Sequence, residues 1–69
     1  MQKNGIIAHL AEKGYGFIQV PGYSSNVFFH AKELKGIAFP DLNKGDEVMI
    51  DEIVQGEKGM SARGVSLIK

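Results

Sequence analysis

Lys13-Gly14-Tyr15-Gly16-Phe17-Ile18-Gln19-Val20 and, a short turn later, Val27-Phe28-Phe29-His30 decide how this chain folds. Successive side chains of an extended strand point to opposite faces. The first stretch therefore separates Tyr15, Phe17 and Gln19 from Gly16, Ile18 and Val20. The second separates Val27 and Phe29 from Phe28 and His30. Burying Gln19 or His30 without partners is costly, so the aliphatic sets take the inward face. Three aromatic rings and a histidine are then left outside. If the two strands pair as a hairpin, Tyr15, Phe17, Phe28 and His30 share one outward patch.

Working outward from this hairpin, short β-branched and aromatic runs alternate with glycine-rich turns, and no stretch holds a helical apolar period for long. Strands are predicted over 5–11, 15–20, 26–30, 47–54 and 62–68. Glu12-Lys13-Gly14 turns the first strand into the second, Pro21-Gly22 suits a type II turn, and Gly56-Glu57-Lys58-Gly59 closes the last hairpin. The long connection from Ala31 to Asp46 is the exception. There, Ala31-Lys32-Glu33-Leu34-Lys35 is predicted to form one helical turn ended by Gly36. Five strands in one small chain point to a closed all-β barrel, because closure removes exposed sheet edges.

The whole chain, 1–69, reads as one domain, too small for a second core or a large enclosed substrate cavity. A hydrophobic fraction of 43% and a charged fraction of 23% place it with ordinary globular domains. With no cysteine it has neither a disulfide nor a thiolate zinc site, and apolar burial must hold the fold alone. No apolar run approaches the length of a membrane helix, and Met1-Gln2-Lys3-Asn4-Gly5 lacks the hydrophobic stretch of a signal peptide. The expectation is a cytoplasmic protein with no membrane partner.

The formal charge is zero, with eight basic and eight acidic residues. The distribution is uneven. Lys3, Lys13, Lys32 and Lys35 outnumber Glu12 and Glu33 in the first half, while the second half carries the compensating acidic excess. An anionic partner is expected to prefer the half that holds the aromatic patch. Exposed rings beside a lysine suit unpaired nucleic-acid bases, since every base offers a π-face and a stack contributes roughly 1–3 kcal/mol. Gly14 and Gly16, lacking side chains, are expected to let a nucleic-acid strand come close, with Lys13 placed to meet phosphate. Phe39, beside Pro40 in the long loop, suits equally the rim of this platform or an anchor for the loop.

Two stretches carry a family resemblance over nearly the whole chain. Lys13-Gly14-Tyr15-Gly16-Phe17-Ile18 resembles the first ribonucleoprotein motif and Val27-Phe28-Phe29-His30 the second, in the order and spacing of a cold-shock domain. Gly5-Ile6-Ile7, Leu42-Asn43-Lys44-Gly45-Asp46-Glu47-Val48 and Lys58-Gly59-Met60-Ser61-Ala62 resemble its first strand, the lead into its fourth and its final hairpin. An RNA-recognition motif is excluded by context, because that fold needs two helices and the reverse order of motifs. The resemblance implies a five-stranded antiparallel OB-fold barrel that binds single-stranded RNA or DNA and acts as an RNA chaperone or a regulator of transcription or translation. Its implied contacts are Lys13, Tyr15, Phe17, Phe28, His30 and Phe39.

The chain departs from the family pattern where Lys-Trp-Phe is usual and Ala8-His9-Leu10 stands instead, which exchanges a cation and two rings for one imidazole. His9 is thereby added to the candidate contacts. Ala31 replaces a frequent aromatic, the first turn is one residue shorter than usual, and Asp51-Glu52 adds a residue to the fourth strand, read as a bulge. Each lost stack lowers affinity by roughly 1–3 kcal/mol.

Other chemistry finds little support in the sequence. His9 and His30 have no carboxylate or cysteine pattern that would make a zinc site. Gly14-Tyr15-Gly16 lacks the Gly-Lys-Ser/Thr ending and following helix of a phosphate loop. Carboxylates are scattered and no nucleophile is set beside a base, so the expectation is a binding protein without catalysis, cofactor or small-molecule substrate. The chain is expected to be monomeric. The alternative is a barrel whose exposed Tyr15, Phe17 and Phe28 serve a protein interface or weak self-association.

Overall fold

The computed structural model describes residues 3–56 and 59–68. The readings placed on Met1-Gln2 and on Glu57-Lys58 of the last turn lie outside them. The described residues form six strands: β1 (Lys3–Ala11), β2 (Tyr15–Gln19), β3 (Val27–His30), the two-residue β4 (Leu34–Lys35), β5 (Glu47–Gly56) and β6 (Gly59–Leu67). They follow the spatial order β3-β2-β1-β5-β6-β4, and a further pairing of β3 with β6 closes the barrel. The five long strands are those expected from the sequence. Their ladders are antiparallel, while the seam is a single parallel pairing, Phe28 with Ser61.

The alternation read from the sequence holds through β2 and β3. Ile18, Val20, Val27 and Phe29 are buried to within 2% and join Ile7, Leu42, Val48, Ile50, Ala62 and Val65 in the core. Among the described residues no polar or charged side chain is buried there, so the barrel carries no desolvated charge to offset.

Gly16 also points inward, and this corrects the role expected of it. A Cβ at Gly16 would lie 2.5 Å from the His9 carbonyl oxygen and 2.8 Å from a ring carbon of Phe29. What approaches this glycine is the core phenylalanine and the neighbouring strand, leaving no access for a ligand from outside. Gly16→Ala is therefore expected to destabilise the fold by roughly 1–3 kcal/mol through overpacking. A fall of about 5–20 °C in the midpoint of thermal unfolding would show it, and an unchanged midpoint would exclude this packing.

Strand β1 contains the irregularity on which the site depends. Its pairing with β2 is in register at Ile6 with Gln19 and Ile7 with Ile18, then shifts so that His9 faces Phe17 and Leu10 faces Gly16. The extra residue is Ala8. Strict alternation would send His9 inward with Ile7; the bulge reverses the parity, so His9 is exposed and Leu10 packs against the core. The bulge expected at Asp51-Glu52 is absent from the β5–β6 ladder, which keeps one register from Val48 with Leu67 to Gly56 with Gly59.

The long connection is better ordered than its sequence suggested. The helical turn is a 3₁₀ turn over Ala31–Glu33. It ends before the expected stop because Leu34 and Lys35 pair in parallel with Val65 and Ser66 of β6. Lys35 also forms an ion pair with Asp51 across the sheet surface. Gly36, at φ 76°, turns the chain after this short strand and not after a helix. A second 3₁₀ turn, Phe39–Asp41, carries Pro40 in its first turn, and Ile37, Phe39 and Leu42 cover the open end of the core.

Candidate nucleic-acid interface

Hairpin pairing of β2 with β3 sets Tyr15 opposite His30 and Phe17 opposite Phe28, all on the outer face. The bulge adds His9 from β1, opposite Phe17. Ring centroids are 6.1 Å apart for His9 and Phe17, 5.9 Å for Phe17 and Phe28, 5.6 Å for Tyr15 and Phe28, and 6.2 Å for Tyr15 and Phe17. The last pair is edge-on at 89°. These separations fall within the range of mutually supporting aromatic contacts. The rings thus hold one another in a continuous array while remaining half-exposed, and the two histidines at its margins are exposed.

Lys13 lies exposed in the β1–β2 turn beside this array. The turn is fixed by Gly14 N–H donating to the Ala11 carbonyl at 3.2 Å, and by Ala31 N–H donating to the Gly14 carbonyl at 2.9 Å. The second bond ties the turn to the end of β3. His30 caps the first 3₁₀ turn: its Nδ1 accepts from Lys32 N–H at 3.1 Å. With Nδ1 used as an acceptor, the neutral ring carries its proton on Nε2 and offers a donor there.

Phe39 is separate from this array. Its ring packs 6.3 Å from that of Phe29, on the core side of β3, and half-buries against the barrel. The structure thus brings together Tyr15, Phe17, Phe28, His30 and His9, sets Lys13 at their edge, and uses Phe39 to anchor the loop.

Beyond Phe28 the face continues into an open groove of about 380 Å³ along the seam, reached by Ser61 and Arg63 from β6 and by Glu33 from the first 3₁₀ turn. None of these was singled out from the sequence. Alternation does place Ser61 and Arg63 on the face opposite buried Ala62. Their position beside Phe28 depends on the long-range closure of the barrel. Among the described residues no cluster of three or more His, Cys, Asp or Glu side chains is arranged to hold a metal ion.

Residues 3–68 match the family profile described as the "'Cold-shock' DNA-binding domain". The chain belongs to the cold-shock domain family. Among curated members of that family, the cold shock protein CspB of Geobacillus stearothermophilus is 45% identical over 65 residues, covering 94% of this chain and 96% of the relative. The CspB of Bacillus caldolyticus matches with the same identity and coverage. A solved structure titled "drosophila Unr CSD456" superposes with a TM-score of 0.81 over 100% of this chain and 27% of that one. At 24% identity it supports the cold-shock barrel as a fold. Within the cold-shock frame, Ala8-His9-Leu10 is now intelligible: the bulge keeps one of the three positions, His9, on the aromatic face and commits Leu10 to the core. No helix among the described residues is long and apolar enough to cross a membrane.

Proposed function

We propose that this cold-shock domain binds single-stranded RNA or DNA by stacking unpaired bases on Tyr15, Phe17, Phe28 and the two flanking histidines, with Lys13 meeting the phosphate backbone. The observation that carries the reading is the outward array itself, whose centroids lie 5.6–6.2 Å apart on three adjacent strands. Monomeric soluble proteins keep few large aromatic side chains together on an open face without a partner. Bases supply that partner, as a single strand presents its π-faces and a duplex hides them.

The protein then acts by linkage. Binding unpaired segments in preference to duplex shifts a structured RNA toward its open form, by an amount set by affinity and concentration and without ATP. This is RNA chaperoning in the physical sense, and an effect on transcription or translation follows wherever a hairpin controls either. A cytoplasmic location and a monomeric, non-catalytic protein suit this role.

Fluorescence anisotropy with labelled single-stranded RNA, single-stranded DNA and matched duplex tests the reading. Single strands are expected to bind well in preference to duplex. Because the chain is formally neutral and a single strand loses about 0.7 in the salt exponent per phosphate neutralised, the slope of log affinity against log salt is expected to be smaller than about 2 in magnitude. Equal affinity for duplex, or a steep slope, would overturn a stacking mechanism. No binding of any strand, with concentration-dependent self-association lost on Phe17→Ala, would assign the array to a protein interface.

A further inference from the structure

The groove at the barrel seam has a chemistry that base stacking does not use. Strands β3 and β6 are bridged at one pair, Phe28 with Ser61, and past it the chain passes through the 3₁₀ turn at Ala31–Glu33 before it pairs with β6 again at Leu34 and Lys35. Phe28 and His30 form one wall, Ser61 and Arg63 the other, and Glu33 closes the end. Since Phe28 and His30 also belong to the aromatic face, a strand lying on that face runs directly into the groove.

Glu33 is held in place: one carboxylate oxygen accepts from Gly64 N–H at 3.2 Å, in a partly buried setting, and the other makes no hydrogen bond among the described residues. Arg63 is exposed and forms no ion pair among the described residues, although Glu52 faces it across the β5–β6 ladder and shares its surface. A carboxylate acceptor and a guanidinium fork thus line one groove. Guanine is the base that can meet both groups with paired hydrogen bonds. Its O6 and N7 accept two hydrogen bonds from a guanidinium, and its N1–H and N2–H₂ present paired donors to a carboxylate.

We infer that this groove is a guanine subsite, which reads one base of the strand that the aromatic face holds. The inference rests on the single-strand reading above. It adds sequence preference to a surface that otherwise stacks any base, and it places the specificity in Arg63 and Glu33, outside the two aromatic motifs.

Oligomers of about seven uridines, within the site size of a single OB fold, test it when one guanine is moved through every position and affinity is measured by anisotropy. One position is expected to tighten binding about tenfold over the all-uridine strand, the scale of one well-made base contact. Arg63→Ala and Glu33→Gln should each remove most of that gain, read as the ratio of affinities for the guanine-containing and all-uridine strands measured on the same variant, and inosine at the same position should recover only part of it. A gain that survives both substitutions reflects stronger stacking of guanine and overturns the subsite, as does the absence of any position-dependent gain. Failure of the all-uridine strand to bind overturns the aromatic-face reading and the subsite with it.

Discussion

Phe17→Ala is expected to weaken single-strand binding roughly 5- to 150-fold, the equivalent of one base stack worth about 1–3 kcal/mol, with thermal stability close to that of the parent protein. Phe28→Ala should do the same. Both rings stand on the outer face, half-exposed, and their removal leaves the inward set of Ile18, Val27 and Phe29 intact. Because the two rings lie 5.9 Å apart and support each other, the double variant should depart from the product of the single losses. Anisotropy titration, with a thermal melt as control for folding, measures both quantities. Unchanged affinity in a folded Phe17→Ala variant would show that bases do not stack there.

Its chain neighbour behaves in the opposite way. Phe29→Ala is expected to cost about 3–5 kcal/mol, a large share of the roughly 3–10 kcal/mol available to a domain of this length. Phe29 is the largest fully buried side chain, it fills the space beside Gly16, and it supports Phe39 of the long connection. The variant should melt roughly 15–30 °C lower or fail to fold at physiological temperature. A midpoint displaced by less than about 5 °C would place Phe29 outside the core. Adjacent phenylalanines thus separate function from stability, with the loss of Phe28 read in binding and the loss of Phe29 read in folding.

That contrast was legible in the sequence, because period-two alternation and a hairpin register are local properties. Gln19 and His30 marked the outer face, and Tyr15, Phe17 and Phe28 followed from them. What the sequence did not disclose depends on distant backbone. Gly16 reads as an open place beside the platform until Phe29 and the His9 carbonyl are found pressed against it. Leu34-Lys35 reads as the end of a helical turn until β6 offers it a partner. Asp51-Glu52 reads as a bulge because chain length differs there from the family pattern, whereas the bulge lies at Ala8, where the register with β2 slips. Arg63 and Glu33 are far apart in sequence and meet at one groove only when the seam closes.

The bulge at Ala8 also means that β1 is written in two phases. On the Ile7 side, odd-numbered residues fill the barrel; from His9 onward, even-numbered ones do. The loss of one residue there is absorbed by the strand. Deleting Ala8 would remove the extra residue and make the ladder regular: Ile7 inward, His9 outward and Leu10 inward keep their faces and their partners Ile18, Phe17 and Gly16. The strand thus holds one residue of slack ahead of the surface, and its length is less constrained there than the identity of residue 9.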